Sequence, residues 1–285
     1  MRKSITLILL LIAFIPAFGQ KARNVVRKVG VGELIYTPAK ENKNSAGNVI
    51  KDIASALLAG QTSHQEPQYA EAVRASVVNG LSRVRLLSPF DGQFQTEELE
   101  SNIPVLYADG TINNISTIKK TETSGKNVNT YYRGLVSVTV NLKDAHDGTV
   151  VNSNTFNITD SDLSWIGSTE KAMSNALEYL SSKIAKYYNS VFPLYASIVE
   201  GGDVKKDKQK EVYIDLGESD GASKGLQFDV YQLKTVAGKE AKTMIGRLKI
   251  EEVEGDEISL CKVTKGGDRI KAALEEGQTL LITSR

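Results

Sequence analysis

Apolar and polar positions alternate in two different rhythms along this chain, and the switches between them divide it. Residues 24–36 read as a strand, because Val25, Val29, Val31 and Ile35 fall on odd positions. Residues 48–59 read as a helix with Val49, Ile53, Ala56 and Leu57 on its apolar side, ended by Gly60. After a loop, Tyr69, Val73, Val77 and Leu81 recur every fourth residue, the spacing of one helix face. A short strand is expected over 83–87, stopped by Ser88-Pro89, and a helical turn over 95–101. From residue 103 the rhythm becomes β. Residues 105–118 look extended, and 119–130 form a polar hairpin tip centred on Ser124-Gly125-Lys126. On the return, Val136, Val138, Val140 and Leu142 alternate with Ser137, Thr139 and Asn141, so one face is buried and the other is wet. Asp147-Gly148 makes the next turn, and 149–158 a third strand. Ser168 then caps a long helix to about residue 189, with Glu170 in its first turn.

Near Pro193 the pattern changes. Residues 200–210 are polar and carry Gly201-Gly202 and four lysines, and 194–210 read as a linker. Beyond them, short strands at 211–216, 226–233, 244–253, 257–264 and 279–283 are separated by glycine turns, as in a small barrel or sandwich. The expected fold class is α+β: an N-terminal α/β domain (mixed sheet with flanking helices) over 20–193, and a small all-β domain over 211–285.

Composition and charge narrow the function. Arg2 and Lys3, an apolar run over 5–18, and the small residues of Ala17-Phe18-Gly19 describe a secretory signal peptide cut between Gly19 and Gln20. The run is short of the ~20 residues that a membrane-spanning helix needs. Cleavage removes two positive charges and no acid, so the net charge moves from +1 to −1. A near-neutral chain has no electrostatic footprint for nucleic acid or anionic lipid. No cysteine stands near the cleavage site, so the expected product is exported and not lipidated. The lone Cys261 has no disulfide partner, and the fold must be held by burial.

Candidate chemistry is sparse. His64 and His146 lie in a loop and a turn, with no second ligand at metal-binding spacing. Cys261 sits inside a strand between Leu260 and Val263, where a thiol acts as a small apolar residue. Asp215, Glu218 and Asp220 before Gly221 lack the order of a calcium loop. Gly30-Val31-Gly32 lacks the third glycine of a dinucleotide fingerprint, and Ser116-Thr117-Ile118-Lys119 lacks the partner motif of penicillin-binding enzymes. No catalytic residue, cofactor or metal is assigned.

Two resemblances add to this. Ala108-Asp109-Gly110-Thr111-Ile112, the run from Tyr131-Tyr132-Arg133-Gly134-Leu135 to Leu142, and Asp147-Gly148-Thr149-Val150-Val151 resemble the CsgG/LpoB-like envelope-assembly domain. Asp220-Gly221-Ala222-Ser223-Lys224-Gly225-Leu226, with Ile245-Gly246 later, is similar to the C-terminal domain of flagellar assembly protein T. The resemblance implies a non-catalytic accessory of the cell envelope, periplasmic or outer-membrane-associated. Its partner is another envelope protein or a further copy in a homo-oligomer. The polar tip argues against a membrane-spanning hairpin. The expected interaction surface is Lys119, Ser124, Gly125 and Lys126 at the hairpin, with Asp220, Gly221 and Gly225 in the second domain. The alternatives are a glycan- or small-molecule-binding module, with Trp165, Tyr187 and Tyr188 lining a groove, and a hydrolase whose carboxylates converge only in the fold.

Overall fold

The structure is a computed structural model that describes residues 24–37, 62–91, 94 and 104–285. The signal peptide with its Gly19–Gln20 cleavage site, the helix at 48–59 and the turn at 95–101 lie outside the described residues. The chain divides into two compact units, Val25–Leu194 and Tyr195–Thr283. The fold is α+β.

The first unit contains β1 (Arg27–Tyr36), β2 (Thr62–Gln65), α1 (Ala70–Ser82), β3 (Leu87–Asp91), β4 (Val105–Ser124), β5 (Asn127–Asp144), β6 (Val150–Ile158) and α2 (Thr169–Val191). Its sheet runs β3-β1-β4-β5-β6, with β2 on the far half of β4. β1 is parallel to β3 and β4, and the other pairs are antiparallel, so the sheet is mixed. The alternation read from the sequence decides which face is dry. Val136, Val138, Val140 and Leu142 join Val73, Val77 and Leu81 of α1 and Met173, Ala176, Leu180 and Ile184 of α2 in one core. Ser168 caps α2 as expected, accepting from the Lys171 amide at 3.2 Å.

Glycines set how closely these layers meet. A Cβ on Gly80 of α1 would lie 2.7 Å from Ile184 Cβ and 2.9 Å from the Ser181 carbonyl oxygen of α2. A Cβ on Gly134 of β5 would lie 2.8 Å from Ala176 Cβ and 2.9 Å from the Ala172 carbonyl oxygen. Beside Gly80 the buried Ser181 hydroxyl donates to the Ser76 carbonyl at 2.7 Å, so the polar atoms at this crossing are satisfied.

The other sheet face is a ladder of short polar side chains. Asn113 Nδ2 donates to Thr139 Oγ1 at 3.0 Å, Thr139 meets Thr155 at 2.9 Å, and Ser137 donates to Asn157 at 2.7 Å. Lower down, Lys143 and Asn141 both donate to Asp109, at 2.6 and 3.1 Å.

Three local expectations need correction. Ile35 does not share the inner face with Val29 and Val31, because a register shift between Val31 and Leu34 turns the strand over. Ile35 is 64% exposed, while Leu34 and Tyr36 pack on the core. The strand expected at 83–87 instead occupies Leu87–Asp91, with Ser88 and Pro89 inside it. Proline is tolerated there because β3 is an edge strand. The polar stretch 119–130 is almost wholly strand: β4 continues to Ser124, and only Gly125-Lys126 forms the turn. Gly125 has φ 62°, the positive first turn position that a two-residue hairpin loop favours.

The second unit contains β7 (Tyr195–Ala196), β8 (Ile198–Gly201), β9 (Val204–Lys205), β10 (Lys208–Gln209), β11 (Glu211–Ile214), β12 (Gln227–Val236), β13 (Lys239–Val253), β14 (Ser259–Lys265), α3 (Gly267–Glu275) and β15 (Leu280–Ser284). Its seven-stranded order is β7-β15-β12-β13-β14-β11-β8. Only Ser197 separates the two end strands, so the sheet curls back on itself as a nearly closed barrel. Residues 194–210, expected as a linker, therefore carry the strands that close it. Their polarity misleads because few of these side chains face inward; Gln209 does, donating to the carbonyls of Gly202 (2.9 Å) and Glu211 (2.7 Å). The short helix α3 escaped the sequence reading. It seats Ile270 against Gly246 of β13, where a Cβ would come within 2.5 Å of Ile270 Cδ1.

Replacing Gly80 by valine forces α1 and α2 apart. The Gly80→Val variant is expected to lose about 2 kcal/mol of stability, read from a lower midpoint in urea.

Candidate functional site: a protruding β-arm

Among the described residues, no other element of the first unit pairs with the distal half of the β4–β5 hairpin. On one side β4 is paired by β1 as far as Ile112, then by β2 from Ser116 to Lys119. On the other side β5 is paired by β6 up to Val136, and Tyr132 then bridges to Ile166. Past Lys119 and Tyr132 no further strand is paired with either edge among the described residues. What remains is a two-stranded arm, Lys120 to Ser124 against Asn127 to Tyr131, about 17 Å long at ~3.4 Å per residue. Residues 121–129 are all exposed.

The base of the arm is braced. Trp165 packs on the buried pair Ile118 and Leu135. The Arg133 guanidinium lies 4.3 Å from the Trp165 ring centroid and Lys120 Nζ lies 5.3 Å from it, both within cation–π range. Asp160 comes within 4.0 Å of Arg133. The segment that carries Trp165 is held by a one-turn helix in which Asp162 accepts from the Thr159 amide at 2.9 Å and from Lys183 at 3.0 Å. Burial pushes the Asp162 carboxyl up, but those donors outweigh it and leave the group below the usual carboxylate range.

Of the residues expected to form the interaction surface, Lys119 pairs with Tyr132 at the base of the arm, and Ser124, Gly125 and Lys126 form its tip. Asp220, Gly221 and Gly225 belong to the second unit and are occupied with local structure. The Asp220 carboxylate accepts from the Gly217 amide at 3.1 Å, and Gly221 and Gly225 hold positive φ in the turn before β12. The sequence reading missed the arm's length and its brace. Arg133 and Trp165 are far apart in sequence, so only the regular pairing of 119–130 could have signalled them.

The other candidate sites carry less. Trp165 shares no aromatic contact with Tyr187 and Tyr188, which cluster instead with Phe156 and Phe192, and Tyr188 is fully buried. A cleft of about 810 Å³ opens at the β1 bulge, lined by Glu33, Glu71, Arg74, Tyr107 and Asp109 among others. Two of its charged groups serve the fold: Arg74 donates to the carbonyls of Val31 (2.8 Å) and Gly32 (3.0 Å), and Asp109 holds Lys143. Burial pushes the Cys261 thiol up to about 12, so it stays protonated and inert at neutral pH. Among the described residues no group of three or more His, Cys, Asp and Glu side chains could hold a metal ion. No helix among them is long and apolar enough to cross a membrane.

No family model matches this chain, and no curated protein matches it. It is similar to several solved structures. A PelC dodecamer from Paraburkholderia phytofirmans is 16% identical, over 58% of this chain and 89% of that one, with a TM-score of 0.32. A neuraminyllactose-binding hemagglutinin homolog from Helicobacter pylori is 11% identical over 61% and 90%, with a TM-score of 0.33. A protein from Xanthomonas campestris is 11% identical over 59% and 85%, at 0.33. Such distant likenesses define no family. The class this chain belongs to is set by its own architecture, an α+β unit with a projecting β-arm and a barrel-like second unit.

Asp162→Asn removes the charge that Lys183 and the Thr159 amide hold. A carboxyl lowered in the folded state stabilises fully above its unfolded pKa near ~4, and that share is lost as pH falls through the folded value. The variant is expected to be about 1 kcal/mol less stable at pH 7, with the gap from the parent closing below about pH 4 in thermal melts.

Proposed function

We propose that this chain is an exported, non-catalytic accessory of the cell envelope, like the CsgG/LpoB-type domains its sequence resembles. In this reading it works by docking its β-arm on another envelope protein or a further copy of itself. The arm is the observation that carries the reading. A two-stranded ribbon in water is marginal by itself, and each open edge presents amides and carbonyls to an incoming strand. Strand addition at such an edge takes its affinity from main-chain hydrogen bonds and its specificity from alternate side chains. The brace of Trp165, Arg133 and Lys120 fixes the arm's direction, so less ordering entropy is lost on docking. The signal-peptide pattern at the chain start supports action outside the cytoplasm.

The test is a variant in which residues 122–129 are replaced by Asn-Gly, a two-residue hairpin turn that shortens the arm and leaves the sheet intact. Full-length tagged protein, cross-linked in intact envelopes, is expected to capture a defined set of envelope components. The shortened variant, folded by circular dichroism, is expected to lose that capture at least tenfold. Equal capture by both proteins sinks the reading.

A further inference from the structure

The arm's two edges are not alike, and the difference points to the occupant of one of them. Tyr132 exchanges both main-chain hydrogen bonds with Ile166, donating at 2.7 Å and accepting at 3.0 Å. In an antiparallel strand, residues two apart direct their N–H and C=O to the same side. The β4–β5 pairing is regular from Ile118↔Arg133 to Ser124↔Asn127, so Thr130 and Val128 present their amides and carbonyls outward along the β5 edge. These same residues share one face of the arm with Thr121 and Thr123. Four β-branched side chains thus line that face, and Val128 is 63% exposed.

Charge separates the edges. Asn127, Val128, Asn129, Thr130 and Tyr131 include no charged residue and no proline, in a chain that is 24% charged. The β4 edge of the arm carries Lys120 and Glu122. Two other edge strands of this sheet, β3 and β6, are blunted in ways that hinder strand addition. β3 has Pro89, and β6 has a register shift between Val150 and Asn152, with Lys183 donating to its Asn157 carbonyl at 2.9 Å. The β5 edge alone among these has no such device.

We infer that the β5 edge of the arm pairs antiparallel with the same edge of a second copy of this chain, about a twofold axis at Asn129. The inference rests on the reading of the arm as a docking element and names its partner. A twofold axis sets this edge against the same stretch of a second copy, where a run of like charge would repel itself, and this stretch carries no charge. The axis puts Val128 opposite Thr130 of the second copy and Asn127 opposite its Tyr131. The outward groups of Val128 and Thr130 then exchange four main-chain hydrogen bonds. The product is a four-stranded β4-β5-β5-β4 sheet, which meets the minimum of three strands that a lone ribbon lacks. On one face the Thr121, Thr123, Val128 and Thr130 side chains of both copies become continuous.

Cysteine scanning tests this directly, because Cys261 is the only native cysteine and is buried. At the axis the two Asn129 residues form a non-hydrogen-bonded pair, with Cα atoms about 4.5 Å apart, inside the disulfide range. Glu122 lies directly across from Asn129 on β4, on the opposite edge, and serves as the control. In the full chain at about 10 μM under mild oxidation, Asn129→Cys is expected to form a disulfide-linked dimer at least tenfold faster than Glu122→Cys. Light scattering is expected to show a dimer for the parent, and a monomer for Thr130→Pro, which removes an outward N–H. Equal or absent cross-linking of the two cysteine variants overturns the inference, as does a monomeric parent. If that occurs while the shortened arm still loses envelope capture, the self-pairing falls and the docking function stands. If capture is also unchanged, both fall.

Discussion

The first unit depends on how closely α2 can sit against β5 and α1. At Gly134 the helix backbone approaches so near the strand that a single Cβ would collide with Ala172 and Ala176. At Gly80 the two helices meet with Ile184 and Ser181 in the space a side chain would need. Interiors pack near crystal density, so these absent methyl groups are structural choices as firm as the apolar residues around them. They position the core stripe of α2, from Met173 to Tyr188, over the inner face of β5 and β6.

The sheet then serves two different surfaces. Its inner face is dry, while its outer face satisfies its polar groups internally through Asn113, Thr139, Thr155, Ser137 and Asn157. A face whose donors and acceptors already bond to one another offers little unmet hydrogen bonding to a partner. The arm is the opposite case. Its outward main-chain groups meet no further strand among the described residues, its base is braced by Trp165 with two cations, and its tip turns on two residues. Rigid at the base and open along the edges, it is suited to adding strands.

The second unit solves the edge problem by closure. β7 and β8 are consecutive pieces of chain at the two ends of one sheet order, so the barrel leaves few edges to protect. Cys261 lies within it as an inert apolar residue, which agrees with a protein whose fold is held by burial. Gly246 admits Ile270 of α3 against β13, the same device that seats α2 on β5.

Local periodicity and residue type by themselves determined the inner face of β5, the extent and cap of α2, the apolar stripe of α1, the hairpin turn at Gly125 and the α+β class. These are local matters: a period of two or 3.6 residues and a capping serine act within a few positions of themselves. Tertiary structure decided the rest. The bulge that turns Ile35 outward is a mismatch between β1 and β4, and neither strand carries it alone. Pro89 sits in a strand because β3 happens to be an edge. The polar run 119–130 became an arm, and 194–210 became barrel strands, because strand pairing is made between main chains and places few demands on exposed side chains. The arm's reach was set by where its neighbours stop, at Lys119 and Tyr132, and that is a property of other segments of the chain.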